Sequence, residues 1–197
     1  MNGIKKKIIF ERLKEHWEVV EILEKDRNFI SSLENVVNIL LESLSKGGKI
    51  LICGNGGSAA DAQHFAAELV GKFLVKREAI PAIALTTNSS ILTAVGNDYN
   101  FSEIFSRQVE ALGKKEDALV VISTSGNSEN VIKAIREAKK KEMVVIGLTG
   151  SNKKNEIKQL ADYCLCVPSV CTPRIQEMHC LIEHIICELI EERICQK

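Results

Sequence analysis

Hydrophobic positions in the first quarter of the chain recur at helical spacing. Between about Lys5 and Ser45, residues Ile22, Leu23, Phe29, Leu33, Val36, Val37, Leu40 and Leu41 return at intervals of three and four. The spacing predicts an amphipathic helical segment, with a break near Asp26–Asn28. Beyond it the pattern changes to short, wholly apolar runs. Lys49–Cys53, Pro81–Leu85, Ala118–Ser123, Met143–Leu148 and Tyr163–Val167 predict five strands. Helical stretches follow some of them, from Ala59 to about Val70, after Ser128 through Lys140, and from about Arg174 to Arg193. Strands without internal polar alternation are covered on both faces, so a parallel sheet is expected. The predicted fold class is α/β, a three-layer sandwich whose central parallel five-stranded sheet is flanked by helices. One domain, 1–197, is expected, with an N-terminal helical segment (1–46) and an α/β core (47–197).

Charge narrows the possible partners. Lys plus Arg total 26 and Asp plus Glu 26, for a net charge of zero. That balance argues against nucleic acid, whose binding usually leaves a basic footprint. No apolar run of about 18 residues appears, so no membrane span is expected. The lysine-rich start, Met1–Lys7, leads into an amphipathic pattern and not into a signal peptide, which predicts a cytoplasmic address. Seven cysteines, an odd number with no CxxC pair, read as buried, reduced thiols. Cys164 and Cys166 would share one face of a strand, and the near-heptad recurrence of Cys180, Cys187 and Cys195 reads as packing.

Two turns carry candidate chemistry, both at the carboxyl ends of predicted strands, where open α/β sheets bind ligands. Gly54-Asn-Gly-Gly-Ser58 leads straight into a helix whose free N–H groups and dipole favour an anion. It fits a tight connection capped by Ser58 equally well. It matches neither GxGxxG nor the P-loop pattern. Ser123-Thr-Ser-Gly-Asn-Ser128 places four hydroxyls before the next helix. One hydroxyl suffices for a cap, so four favour phosphate binding.

Acid–base candidates lie on two helices. His64 and Glu68 are four apart and share a face of an otherwise apolar, small-residue helix. The final helix carries Gln176, His179 and His184. His179 also pairs with Glu183 at a spacing of four, so spacing alone leaves open which histidine matters.

The motifs GNGGS and STSGNS, with Val95-Gly-Asn-Asp98 and Arg174-Ile-Gln-Glu-Met-His179, resemble the sugar isomerase (SIS) domain family, and within it the phosphoheptose isomerase branch. The resemblance spans nearly the whole chain. It implies a flavodoxin-like SIS fold and a homotetramer with active sites between subunits. It also implies one zinc ion per subunit, bound by the residues at His64, Glu68, Gln176 and His184, with Glu68 and His184 as the acid–base pair. Substrate contacts are implied at Asn55, Gly56, Gly57, Ser58, Glu68, Asn97, Asp98 and Gln176, and phosphate contacts at Ser123, Thr124, Ser125 and Ser128. The implied reaction converts sedoheptulose 7-phosphate to D-glycero-D-manno-heptose 7-phosphate through an enediol, feeding bacterial surface polysaccharide.

Gln176 and His184 are eight residues apart, roughly 12 Å along a continuous helix. A shared metal therefore implies a subunit boundary or a helix irregularity. Lys72 stands where some relatives carry Arg, and Pro173 where some carry Asp, which bears on substrate preference. The rivals are a non-catalytic phosphosugar-binding adaptor of the same domain family, which lacks the equivalents of Glu68 and His184, and an isomerase of another phosphosugar.

Overall fold

Asp26 ends one helix and starts the next. Its carboxylate accepts the N–H groups of Asn28 (2.9 Å) and Phe29 (3.0 Å), satisfying amides that a helix start leaves unpaired. The expected break is thus a cap between α1 (Asn2–Lys25) and α2 (Arg27–Ser45). The structure, a computed structural model, describes residues 2–195.

The chain continues as β1 (Ile50–Gly54), α3 (Gly57–Val70), β2 (Ala82–Ala84) and α4 (Ser89–Asp98). A 3-10 turn (Phe101–Glu103), α5 (Ser106–Leu112), β3 (Ala118–Ser123) and α6 (Glu129–Lys140) follow. The remainder is β4 (Val144–Gly150), α7 (Glu156–Leu160), β5 (Tyr163–Val167) and α8 (Thr172–Cys195). The five strands form one parallel sheet in the order β2-β1-β3-β4-β5. This is the flavodoxin-like order, and its switch point lies between β1 and β3.

Alternate strand residues point to opposite faces. Ile50, Ile52, Val120, Ile122, Ile146 and Leu148 pack with Val36 and Leu40 of α2, Phe65 of α3 and Ile182 of α8. Leu51, Cys53, Leu119, Val121 and Val145 pack with Val109 of α5, Ile135 of α6 and Ile157 of α7. Apolar contact on both faces is why the strands read as unbroken hydrophobic runs.

Several expectations change in detail. The helix after the first turn begins at Gly57 with Gly56 as its N-cap, so Ser58 is buried in its first turn and is not the cap. Helices α4, α5 and α7 were not expected. Only Cys53 and Cys187 are buried. Cys164, Cys166 and Cys180 are partly exposed, and Cys171 and Cys195 are exposed. Cys164 and Cys166 do share a strand face, with sulfurs 3.6 Å apart. Helix α8 is unbroken, which removes a helix irregularity as the route from Gln176 to His184. Among the described residues, no helix is long and apolar enough to cross a membrane.

Helix α1 lies against α8, where His16 Nδ1 meets Glu177 at 2.8 Å and Arg174 donates to the Arg12 carbonyl at 2.8 Å. Its Ile8, Ile9, Phe10, Leu13 and Trp17 remain exposed.

Candidate active site

Both glycine–serine turns lie at the switch point. Gly56 has φ +57°, a conformation that favours glycine. A Cβ on Gly54 would fall 2.5 Å from the Ser58 carbonyl oxygen, so the chain turns back on itself too closely for a side chain. No side chain caps α3, which leaves its first amides facing the crevice. This removes the reading of Ser58 as the cap of the first turn.

The second turn is a hydroxyl cluster. Ser123 Oγ lies 3.1 Å from Ser128 Oγ and 3.4 Å from Ser125 Oγ, and accepts the Gly126 N–H at 3.3 Å. Ser128 is the N-cap residue of α6, yet its hydroxyl makes no capping bond. Thr124 beside them holds the turn through its carbonyl, which accepts from Asn152 at 3.1 Å. Asn55 and Asn130 exchange amide hydrogen bonds, both 2.8 Å, and so stitch the first turn to α6. Between the turns opens a cleft of about 310 Å³ lined by Asn55, Phe101, Ser128 and Asn130. A larger cavity of about 490 Å³, lined by Ser43, Lys46, Glu116 and Tyr163, opens near the amino ends of the strands, away from both turns.

A second group forms where α3 passes α8. His64 Nε2 lies 2.7 Å from His184 Nε2, the rings meet edge-on at 5.0 Å, and Phe73 stacks on His184 at 5.6 Å. Glu68 Oε1 is 3.6 Å from His64 Nε2, as the spacing of four required. Cys180, four residues before His184, completes a cluster whose His64, Cys180 and His184 ligand atoms all lie within 4.8 Å of one another. Two imidazoles and a thiol, with a carboxylate alongside, are the donor types that zinc takes, so the residues fit such an ion. Burial raises the Cys180 thiol, and the charges of Glu183, Asp61 and Glu68 add to this.

The two histidines of α8 differ in their surroundings. His184 faces His64, whereas His179 is fully buried, and burial lowers its pKa to about 4, so it is a neutral core imidazole. Gln176 points at the first turn: a Cβ on Gly57 would fall 2.2 Å from Gln176 Nε2. With Gly57 against Gln176 and His64 against His184, the two helices run side by side in the same direction. Asn97 and Asp98 end α4, exposed and bonded to each other at 2.8 Å. Among the described residues, no hydrogen bond joins them to the turns or to the histidines.

Sequence reasoning missed Cys180, although its position midway between Gln176 and His184, four from each, was the available signal. It also missed Arg77. That guanidinium, almost fully buried, pairs with Glu191 at 2.8 Å and donates to the carbonyls of Glu68 (2.8 Å) and Leu69 (2.9 Å). It thereby closes the carboxyl end of α3 beside the catalytic candidate.

Glu183, adjacent to His184, is fully buried, and neither carboxylate oxygen has a hydrogen-bond partner among the described residues. Burial, with the nearby Asp61 charge, pushes its pKa up from 4.5 to about 9. The folded protein therefore holds a proton that the unfolded chain releases. This contribution to stability is full below the unfolded value and is lost as pH rises through the folded one. At pH 7 the loss amounts to about 3 kcal/mol. Glu183→Gln, with no charge to form, should raise the urea midpoint of metal-free protein at neutral pH and flatten its decline toward alkaline pH. An unchanged pH profile would show that Glu183 ionises freely in the fold.

Comparison with known proteins agrees with this architecture. The SIS domain family model matches residues 17–150. The phosphoheptose isomerase of Clostridium acetobutylicum is 48% identical over 189 residues, 96% of each chain. That of Helicobacter pylori is 53% identical over 178 residues, 90% of this chain and 92% of the other. The solved structure of the phosphoheptose isomerase from Neisseria gonorrhoeae superposes with a TM-score of 0.88 at 44% identity, covering 95% of this chain and 98% of that one. The chain belongs to the SIS domain family and, within it, to the phosphoheptose isomerases.

Proposed function

We propose that this protein is an aldose–ketose isomerase that converts sedoheptulose 7-phosphate to D-glycero-D-manno-heptose 7-phosphate through an enediol intermediate. The observation that carries the proposal is identity of about half, over nine-tenths or more of the chain, with proteins named phosphoheptose isomerase. The meeting of His64, Glu68 and His184 supports it from the geometry.

The phosphate is held by the hydroxyls of Ser123, Thr124, Ser125 and Ser128 and by the amino end of α6. The sugar lies along Asn55, Gly56, Gly57 and Ser58, with Gln176 reaching over the first turn and Asn97 and Asp98 contributing from α4. Glu68 takes a proton from carbon 1 while the carbonyl oxygen on carbon 2 gains one, which gives the enediol. His184 moves protons between the two oxygens, and Glu68 returns its proton to carbon 2 as the carbon 1 carbonyl forms. Phe73, stacked on His184, keeps that ring oriented. A zinc ion held between α3 and α8 by His64 and His184 would supply Lewis-acid stabilisation of negative charge on the sugar oxygens.

The enzyme works as a cytoplasmic homotetramer with active sites between subunits, and its product feeds heptose-containing surface polysaccharide. Two features support the assembly. Glu68 lies eleven residues beyond Gly57, roughly 16 Å along α3, and the apolar residues of α1 are uncovered. Sedimentation of a fully active monomer would overturn this part.

The test of the reaction is conversion of sedoheptulose 7-phosphate by purified protein, before and after chelator treatment. Conversion lost on chelation and restored by zinc is expected. Conversion unaffected by complete metal removal would discard the metal and keep the isomerase. No conversion by folded, zinc-loaded protein would overturn the proposal.

A further inference from the structure

Strand β5 is an edge of the sheet, and its residues divide between the two layers. Leu165 and Val167 pack in the layer of α2 and α8. Cys164 and Cys166 face the other way, beside Gly147 and Thr149 of β4. Gly147 leaves room there: a Cβ on it would fall 3.3 Å from Cys164 Sγ and 2.8 Å from Ile157 of α7. The two sulfurs are 3.6 Å apart, and the Thr149 hydroxyl lies 3.4 Å from Cys164 and 3.3 Å from Cys166. Neither thiol belongs to an apolar core cluster, and the isomerase reading uses neither.

Two thiols this close invite a disulfide, but the strand opposes one. Side chains at i and i+2 of an extended strand stand parallel, so their Cβ atoms are about 6.6 Å apart. A disulfide needs roughly 3.5–4.5 Å between them. A single cation bridges the sulfurs without bending the strand. With metal–sulfur bonds of about 2.3 Å, two sulfurs on one ion lie roughly 3.8–4.0 Å apart. Among the described residues no histidine, carboxylate or third thiol joins the pair within 4.8 Å to complete a four-donor set. That excludes a closed zinc site and leaves a soft ion of low coordination number, of the monovalent copper class. The hydrogen bond between the sulfurs lowers the pKa of Cys166 against the effect of burial, with Thr149 and the charge of Lys158 adding to it, and raises that of Cys164. Two thiolates around a monovalent ion carry one negative charge, which Lys158 offsets.

The same hydroxyl connects the pair to the second turn. Thr149 Oγ1 accepts from the Asn155 amide at 3.0 Å, and that amide also donates to the Gly150 carbonyl at 3.1 Å. Asn155 is wedged against Gly126, where a Cβ would fall 2.1 Å from its Oδ1. Gly126, at φ +73°, makes the bend of Ser123–Ser128. We propose that Cys164 and Cys166 bind a soft, low-coordinate cation as a dithiolate, and that its capture loosens the Gly126 turn through Thr149 and Asn155. The link to catalysis rests on reading that turn as the phosphate cradle. Both thiol protons pass to solvent as the two Sγ–metal bonds form. The sulfur lone pairs then belong to the ion, so the Thr149 hydroxyl loses its partners. Its shift reaches Asn155, which has no free space beside Gly126.

The test is anaerobic titration of the purified protein with Cu⁺ against a chromophoric copper(I) chelator. The wild type should withdraw one equivalent more than Cys164→Ser/Cys166→Ser. Cys171→Ser/Cys195→Ser, which removes the exposed thiols, should match the wild type. On the wild-type chain, Cu⁺ should protect Cys164 and Cys166 from iodoacetamide, read by peptide mass. That equivalent should raise KM for sedoheptulose 7-phosphate about fivefold or more, the lower end of ordinary coupling between sites, and change kcat far less. Thr149→Val should keep the uptake and lose the rise in KM. Equal uptake by the wild type and the double variant, or alkylation indifferent to Cu⁺, would overturn the site. Uptake with an unchanged KM, or a rise that survives Thr149→Val, would overturn the link to the turn. Uptake is read without substrate, so copper binding by a protein that converts no sedoheptulose 7-phosphate would sink the isomerase reading and leave the site standing. The link is then read from the affinity for inorganic phosphate, which Cu⁺ should lower.

Discussion

Glu68→Gln is expected to lower turnover of sedoheptulose 7-phosphate by roughly 10²–10⁴-fold, the range that a positioned general base supplies. The substitution keeps the shape of the side chain and removes only its capacity to take a proton. Little structural change should accompany it, because Glu68 is partly exposed and its backbone carbonyl, not its side chain, receives the Arg77 bond. KM should change far less than kcat, since the proposed phosphate and sugar contacts lie at the two turns. Exchange of the carbon 1 proton with deuterated solvent should fall in parallel with turnover. Turnover within tenfold of the wild type would remove Glu68 as the base.

Arg77→Met should destabilise the protein by about 3–5 kcal/mol, as removal of one member of a buried ion pair typically does. The cost arises in two places. Glu191 keeps its bonds from the Leu74 and Val75 amides, at 2.9 and 2.8 Å, but loses its counter-charge. In the last turn of α3, where intrahelical partners run out, the Glu68 carbonyl loses the Arg77 donor, while that of Leu69 keeps only the Ile80 N–H at 3.1 Å. Arg77→Met/Glu191→Leu should recover a large part of the loss, because a buried pair exchanged for apolar groups is often close to neutral. Urea unfolding of the two single variants and the double gives the coupling directly. Purely additive losses would show that the two residues act independently.

Why some of this was legible in the sequence, and some not, follows from the residues. The strands were readable because both faces of the sheet are covered, so Leu119 and Val120 are alike apolar although they face different layers. Helices α4, α5 and α7 were not. Helix α4 has no buried residue, and α7 is five residues long, started by Asn155, whose side chain accepts the Lys158 N–H. Neither presents the recurring apolar stripe on which a helix is recognised. The hydroxyl turn was legible because its chemistry is local. Cys180 was not, because its neighbour His64 is more than a hundred residues away in sequence and only the packing of α8 on α3 unites them. Ser58 misled because a serine after glycines fits a cap, while the backbone placed the cap two residues earlier, at Gly56.

The distance between His64 and His184 along the chain, 120 residues, also has a temporal meaning. At about 5–20 residues per second of synthesis, His64 emerges roughly 6–24 s before its counterpart. Over the second half of that interval both turns have been made, yet the chain lacks the second imidazole that faces His64. The proposed proton transfer would thus await the docking of α8 on α3. A polypeptide released before α8 is made carries both turns without His184.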